Sequence, residues 1–197
     1  MPAARPPEMP DSPLRTRRLD LLPLRVAHAP EMARVLSDPA LYAFIGGAPP
    51  GEEELRARYA RLTAGSPDPD VTWRNWVLRL RATSRLVGTV QATLTSGPPG
   101  DPGRGPDPDP HSGFSPHSGS RTAEIAWVVG AAWQGQGFAV EAARALVAAL
   151  DAEDVRTVLA HVHPEHHASA AVAAAAGLLP TRVRQDGEVR WARVRPG

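Results

Sequence analysis

Apolar residues in the first third of the chain recur at the spacings of one strand followed by two helices. Residues 19–26 are rich in leucine and valine and predict a strand. Pro30 opens a helix that Asp38 and the next proline end, because proline fits the first turn of a helix but not its interior. Three glutamates from residue 52 begin a second helix, which we expect to end near Gly65. The predicted buried faces of the two helices are Met32, Val35 and Leu36, and then Leu55, Tyr59 and Leu62.

The remaining pattern alternates short strands with helices. Two apolar segments, 75–82 and 86–95, flank a short TSR turn and predict a hairpin. The later elements are, in chain order, a strand at 123–129, a helix at 135–150, a strand at 155–162, a helix at 168–176 and a hairpin across Asp186 and Gly187. Strands and helices mixed along one chain in this way predict an α/β protein.

Two segments contain almost no residue that could be buried. Residues 1–13 hold five prolines, and residues 96–121 are almost wholly glycine, proline, serine and aspartate. Such compositions cannot offset the entropy of ordering the chain, so we predict a disordered lead-in and a disordered insertion between two strands. A functional lid is the alternative for the insertion. The prediction is a single domain at residues 14–195, interrupted by that insertion.

Composition excludes several classes of function. The 22 basic residues are all arginine and outnumber the 21 acidic residues by one, so the net charge of +1 argues against nucleic-acid and membrane partners. The absence of cysteine excludes disulfides, thiolate zinc sites and an acyl-cysteine intermediate. The chain starts without the apolar segment of a secretory signal, and no apolar run reaches the length of a membrane span. We therefore expect a soluble cytoplasmic protein.

A glycine pair between a strand and a helix is the main chemical signal. Gly135 and Gly137 lack side chains, so backbone N–H groups of residues 134–139 can approach an anion at the positive end of the helix. A pyrophosphate suits such a site, although a tight connection between strand and helix could use the same glycines. The chain has no lysine for a Walker loop, and Val140 takes the third glycine position of a dinucleotide fingerprint.

These residues resemble the acyl-CoA signature of GNAT acetyltransferases, Q/R-x-x-G-x-G/A, which is matched by Gln134, Gly135, Gln136, Gly137, Phe138 and Ala139. Glu124 with Ile125, and the segment 164–169, make the chain similar to the branch that acetylates ribosomal-protein N-termini and small amines. The resemblance implies a mixed, mostly antiparallel sheet with helices on both faces and a splayed parallel pair of strands. It implies acetyl-CoA as cosubstrate, and an acceptor amine on a small molecule, an antibiotic or a peptide N-terminus. Related enzymes often form dimers, so a homodimer is one expected assembly.

The resemblance also implies how acetyl-CoA would bind. The backbone of Val128 and Val129 would pair with the pantetheine arm between the splayed strands, and a backbone N–H near Val128 would polarise the thioester carbonyl. Residues 134–139 would hold the pyrophosphate. His166 stands where the family has an asparagine that helps bind the arm, and it could keep that hydrogen bond through a ring nitrogen or lose it.

Two residues are candidates for proton transfer. Glu124 is the candidate base for the acceptor amine, directly or through a water, and its strand neighbours predict an apolar setting for the carboxylate. An ion pair with an arginine is the alternative role for Glu124. Ser169 is the candidate proton donor to the departing thiolate, but a serine there could equally be the N-cap of the next helix.

Aromatic residues mark the predicted acceptor side. Tyr42, Phe44 and Trp73 flank the loops that cover the acceptor in GNAT enzymes, and aromatic rings can line a pocket for an apolar or cationic amine. A place in the core is the alternative for these three residues. Trp76 lies within a predicted strand and is assigned to the core. The histidines of the run 161–167 lack the spacing of a zinc site, so we expect no metal. A non-catalytic acyl-CoA sensor that kept the loop and lost turnover is the rival interpretation.

Overall fold

Eight strands form one continuous sheet in the computed structural model, which describes residues 13–96 and 121–195. The strands are β1 (Leu14–Arg15), β2 (Leu19–Pro23), β3 (Val71–Leu80), β4 (Leu86–Ser96), β5 (Arg121–Val129), β6 (Val155–Val162), β7 (Leu179–Gln185) and β8 (Glu188–Val194). Their order across the sheet is β1-β2-β3-β4-β5-β6-β8-β7. All neighbours in this sheet are antiparallel except β5 and β6, so the mixed, mostly antiparallel sheet is confirmed.

The parallel strands β5 and β6 separate partway along their length. Their pairing ends at Glu124 and Leu159, whereas β5 continues to Val129 and β6 to Val162. β4 remains paired with β5 as far as Val129, so it is β5 and β6 that part. Their carboxyl ends leave a gap on this side of the sheet, and the predicted splayed pair is confirmed.

Helices cover both faces of the sheet, as predicted. They are α1 (Ala29–Val35), α2 (Tyr42–Ile45), α3 (Glu52–Ala64), α4 (Phe138–Ala152) and α5 (His167–Ala175). One buried cluster packs α1 and α3 on one face and includes Met32, Leu55 and Val77. The other packs α4 and α5 on the opposite face and includes Leu146 and Trp76, which confirms that Trp76 belongs to the core. Successive strand residues point to opposite faces, so neighbouring residues of β3, Trp76 and Val77, belong to different clusters.

Several element boundaries differ from the predictions. The helix predicted at 135–150 begins at Phe138, because the positive φ angles of Gly135 and Gly137 are incompatible with a right-handed helix. The strand predicted at 19–26 ends at Pro23 and is followed by a 3-10 turn. β1 and α2 were not predicted, since elements of two and four residues are too short to show a period.

The predicted lead-in and insertion lie almost entirely outside the described residues. The structure describes only Pro13 of the first segment and the two ends of the second, Ser96 and Arg121. These two ends are paired across β4 and β5, so the insertion leaves and re-enters the sheet at adjacent positions. Within 13–96 and 121–195, no helix has the length and apolar character needed to cross a membrane.

Candidate functional site

A cavity of about 630 Å³ lies where β5 leaves β6. Its walls are the end of β5, the turn before α4 and the first turns of α5. The predicted cofactor residues that line it are Val128, Val129, Gln134, Gly135, Gly137, Phe138, Ala139 and His166. Gln136 is the member of the predicted set that does not line it. The cavity has the size of a site for a small organic ligand, and the acyl-CoA signature forms one wall.

The turn before α4 presents backbone donors to this cavity. Gly135 and Gly137 have φ angles of +72° and +77°, which favour glycine, and the Gln134 side chain donates to the Val129 carbonyl at 3.1 Å. The first N–H of α4 that bonds back into the turn is that of Glu141, to the Gly137 carbonyl at 3.0 Å. The N–H groups of residues 138–140 lack an intrahelical acceptor, as at every helix start, and together with the helix dipole such groups favour an anion.

The ladder between β4 and β5 fixes which backbone groups of β5 face the gap. The Gly130 N–H donates to the Val87 carbonyl at 2.9 Å. Because bonded and non-bonded pairs alternate in an antiparallel ladder, the N–H of Val128 points to β4, while those of Trp127 and Val129 point to the gap. Of the two residues expected to pair with the pantetheine arm, Val129 has the orientation for it; Val128 lines the cavity by its side chain.

A cluster of Thr16, Arg18 and Glu141 ties the start of the chain to the glycine turn. Glu141 Oε1 accepts from the Thr16 hydroxyl at 2.6 Å and from the Arg18 N–H at 2.7 Å, and Oε2 accepts from Arg18 Nε at 2.6 Å. Arg18 Nη1 donates to the Gln136 carbonyl at 2.9 Å, and its guanidinium lies 4.6 Å from the Phe138 ring centre. Gln136, which does not line the cavity, is thus held by Arg18 through its carbonyl. Sequence reasoning missed this cluster.

Partial burial alone would raise the pKa of Glu141, but the hydrogen bonds from Thr16 and Arg18 outweigh it and lower the pKa. We expect Glu141→Gln to reduce the free energy of unfolding by about 1–3 kcal/mol, because the Arg18 guanidinium loses its anionic partner. Acetyl-CoA affinity should fall too, since Gln136 and Phe138 lose a fixed support. Urea unfolding and calorimetric titration measure the two effects.

Glu52→Gln is the matched control for this prediction. Glu52 accepts from Arg56 at 2.7 Å on the exposed surface of α3, where such a pair contributes only about 0.3–0.5 kcal/mol. Equal stability losses in the two variants would contradict a structural role for the cluster of Thr16, Arg18 and Glu141.

His166, not Ser169, caps α5. His166 precedes the helix, and its Nδ1 accepts from the Ser169 N–H at 3.2 Å. The interpretation of Ser169 as the N-cap is therefore wrong, because the helix starts at His167 and Ser169 already lies in its first turn. The ring of Phe44 packs 4.5 Å from that of His166, centre to centre. His166 is thus fixed by one hydrogen bond and one ring contact beside the cavity.

Burial lowers the pKa of His166 below its ordinary 6.5, and the neighbouring His163 lowers it further. The unfolded chain therefore binds this proton more tightly than the folded protein does. The stability contributed by the neutral ring is fully present above pH 6.5 and is lost as the pH falls through the lowered folded value. Wild type should lose free energy of unfolding towards low pH more steeply than His166→Asn, because asparagine caps a helix without titrating.

Denaturant unfolding of both proteins between about pH 5 and pH 8 checks this difference. His28 also has a pKa lowered by burial, but it is present in both proteins and cancels in the comparison. Parallel stability curves would show that the neutral ring of His166 does not contribute.

Glu124 lies where β5 and β6 separate, in contact with a histidine. Its side chain is 54% exposed, and Oε1 is 3.0 Å from Nδ1 of His161, whose side chain is 10% exposed. Arg190 Nε donates to His161 Nε2 at 3.3 Å. Because arginine can only donate, the neutral ring carries its proton on Nδ1 and donates it to Glu124. The apolar setting predicted for Glu124 is wrong, and its partner is a histidine rather than the arginine considered.

A second cavity of about 330 Å³ adjoins the first. It is lined by Tyr42 and Phe44 among the predicted acceptor residues, and also by His161. Glu124 is not part of its lining and reaches it only through His161. Trp73 lies elsewhere, in a cavity between α3 and β3 that also includes Arg25. The structure therefore brings two of the three predicted aromatic residues together.

The two cavities meet at a common wall. The residues that line both are Phe44, Ile45, Trp127, Val128, His166 and Ser169. Ser169 thus lies at the junction, within reach of ligands in either cavity. Among the residues that the structure describes, no group of three or more histidine, aspartate or glutamate side chains is arranged to hold a metal ion.

The family model described as an acetyltransferase (GNAT) domain matches residues 18–179. No curated protein matches the chain in sequence.

Solved structures match nearly the whole chain at low sequence identity. A GNAT-family acetyltransferase from Bacillus anthracis is 19% identical, covering 93% of this chain and 98% of its own, with a TM-score of 0.64. An acetyltransferase from Agrobacterium tumefaciens is 23% identical, covering 95% and 97%, with a TM-score of 0.64. RimL, a ribosomal-protein α-N-acetyltransferase in complex with coenzyme A, is 14% identical, covering 93% and 98%, with a TM-score of 0.65. These likenesses confirm the fold.

Proposed function

Since this chain belongs to the GNAT acetyltransferase family, whose members use acetyl-CoA, we propose that it transfers the acetyl group directly to a primary amine held in the second cavity. The junction of the two cavities carries this proposal. A cofactor arm in the first cavity and an amine in the second would meet at Val128, His166 and Ser169. Direct transfer needs this meeting, and the absence of cysteine leaves no acyl-cysteine route.

The first cavity would position the donor by backbone groups. The free N–H groups at the start of α4 suit the pyrophosphate, and the N–H groups of Trp127 and Val129 suit the pantetheine amides and the thioester oxygen. Hydrogen bonding to that oxygen stabilises the negative charge that develops on it during attack. Gly88 lies so close to the Val128 carbonyl that a side chain there would displace β5, which supports a fixed backbone at this point.

The chemistry then requires two proton transfers. The amine nitrogen forms a bond to the acetyl carbon, its extra proton passes through a water to Glu124, and the carbon–sulfur bond breaks. Ser169 or a water supplies the proton that the departing thiolate takes up. His161 orients the Glu124 carboxylate by donating from Nδ1.

Release of free CoA thiol from acetyl-CoA, measured with purified protein, tests the proposal. The acceptor panel contains amino acids, polyamines, aminoglycosides and peptides with free N-termini. The protein contributes no thiol of its own, so the background is only uncatalysed hydrolysis. An acceptor-dependent rate supports an N-acetyltransferase, whereas no rate across the panel together with normal acetyl-CoA binding would favour the non-catalytic sensor.

A further inference from the structure

The second cavity continues between α3 and the sheet, and this extension carries a positive charge. A space of about 90 Å³ adjoins the second cavity there. The residues common to the two spaces are Tyr42, Ile45, Arg58, Thr89, Gln91 and Val128. A ligand whose reacting group lies at the junction near Val128 would therefore extend towards Arg58 on α3.

Arg58 has no acidic partner among the described residues. Arg56, two positions earlier on the same helix, pairs with Glu52 and Glu53. No carboxylate of residues 13–96 or 121–195 forms an ion pair with the Arg58 guanidinium. A guanidinium that lines a ligand cavity without a partner favours an anionic group on the ligand, and its planar geometry matches a carboxylate.

Tyr59 provides an independent indication of a ligand in the extension. Its side chain is 3% exposed, and its hydroxyl is buried without a hydrogen-bond partner in the described part of the chain. Burial raises the pKa of Tyr59 to about 12, so the hydroxyl remains a donor at neutral pH. A buried hydroxyl without a partner destabilises a protein, and a shift of the Tyr59 ring towards the extension would let a ligand oxygen accept from this hydroxyl, which is closed off in the present conformation.

We propose that the acceptor is a small primary amine that also carries a carboxylate, such as an amino acid. Arg58 and the Tyr59 hydroxyl bind the carboxylate in the extension, and the amine lies at the junction of the two cavities. Glu188, the acid that lines the second cavity, attracts the amine as an ammonium ion before it loses its proton. A polyamine or aminoglycoside would bring positive charge towards Arg58, which like-charge repulsion disfavours. This inference rests on the proposed acetyl transfer.

The test compares free amino acids with their carboxamides as acceptors in the thiol-release assay. The wild-type protein should prefer the carboxylate form by about 10- to 100-fold in kcat/KM, the effect of one charged hydrogen-bonded pair. Arg58→Gln should remove this preference mainly through a higher KM, and Arg58→Lys should restore part of it. Arg56→Gln is the control, since Arg56 does not line these cavities, and it should keep the wild-type preference.

Each outcome bears on a different claim. Equal rates with acids and amides, faster acetylation of polyamines or peptide N-termini, or an unchanged preference in Arg58→Gln would overturn the carboxylate assignment while leaving the acetyltransferase intact. Absence of any acceptor-dependent rate, with acetyl-CoA bound, would instead contradict the proposed function and the inference with it. An acetyl-CoA affinity of Arg58→Gln equal to that of the wild-type protein shows that the variant is folded.

Discussion

Replacing Glu124 with glutamine should lower kcat by about 100-fold or more while leaving the dissociation constant of acetyl-CoA nearly unchanged. The amide cannot accept the amine proton, but it keeps the size of the side chain and can still accept from His161 Nδ1. Glu124 does not line the first cavity, where we propose that acetyl-CoA binds, so binding has no reason to change. Steady-state kinetics with a saturating acceptor and calorimetric titration with acetyl-CoA measure the two quantities.

Glu53→Gln is the control for charge removal, because the Glu53 side chain is 91% exposed on α3, away from both cavities. It should leave kcat and acetyl-CoA binding at their wild-type values. Full turnover by Glu124→Gln would exclude Glu124 as the base. The contact between Glu124 and His161 would then have only a structural role.

Gly137→Val should weaken acetyl-CoA binding by about 10-fold or more. A residue with a β-carbon at a φ of +77° costs about 1–3 kcal/mol, and a β-branched residue lies at the upper end of that range. The turn can relieve this strain only by moving the N–H groups that start α4, and those groups are the proposed pyrophosphate donors. Calorimetric titration with acetyl-CoA and with CoA measures the loss, which should be similar for both.

Gly187→Val provides the matched comparison for backbone strain. Gly187 has a φ of +85° in the turn between β7 and β8, and no atom lies within 4 Å of the position a β-carbon would take. Both variants should lose stability, but only Gly137→Val should lose affinity. Unchanged acetyl-CoA affinity in Gly137→Val would show that the glycine turn is not part of the acetyl-CoA binding site.

Local patterns in the sequence predicted the glycine turn before α4 well. Gly135 and Gly137 lie within a few residues of the strand and helix that they connect, so both the turn and its position at the sheet follow from neighbouring residues. The strand 155–162 was predicted with its observed bounds, and the turn at Asp186 and Gly187 at its observed position, for the same reason. Regular alternation and turn residues are sufficient where the determining contacts are close in sequence.

Contacts between distant segments could not be predicted in this way. Arg18 and Glu141 are 123 positions apart, and an acidic residue in a first helical turn has a sufficient local explanation in the helix dipole. The setting of Glu124 depends on His161, which approaches only because β5 and β6 are neighbours in the sheet. Neither pair leaves a periodic signal in the sequence.

The acceptor side shows a further limit of sequence reasoning. Trp73 and Phe44 were treated alike as aromatic residues near loops, but β3 starts at Val71, so Trp73 is a strand residue that lines a separate cavity. Arg58 was not identified, because an exposed arginine on a helix is ordinary, and only the packing of α3 over the sheet brings this one to the border of the cavity. The N-cap alternative for Ser169 fails because α5 starts at His167, so that His166 is the cap.

Acetyl-CoA labelled in its acetyl group tests direct transfer from the first cavity to an amine in the second. After a single turnover with the acceptor identified by thiol release, the account predicts that the label is found on the amine nitrogen, in equal amount to the free thiol, with none bound to the protein. Label retained covalently by the protein, or released only as acetate, would contradict direct transfer.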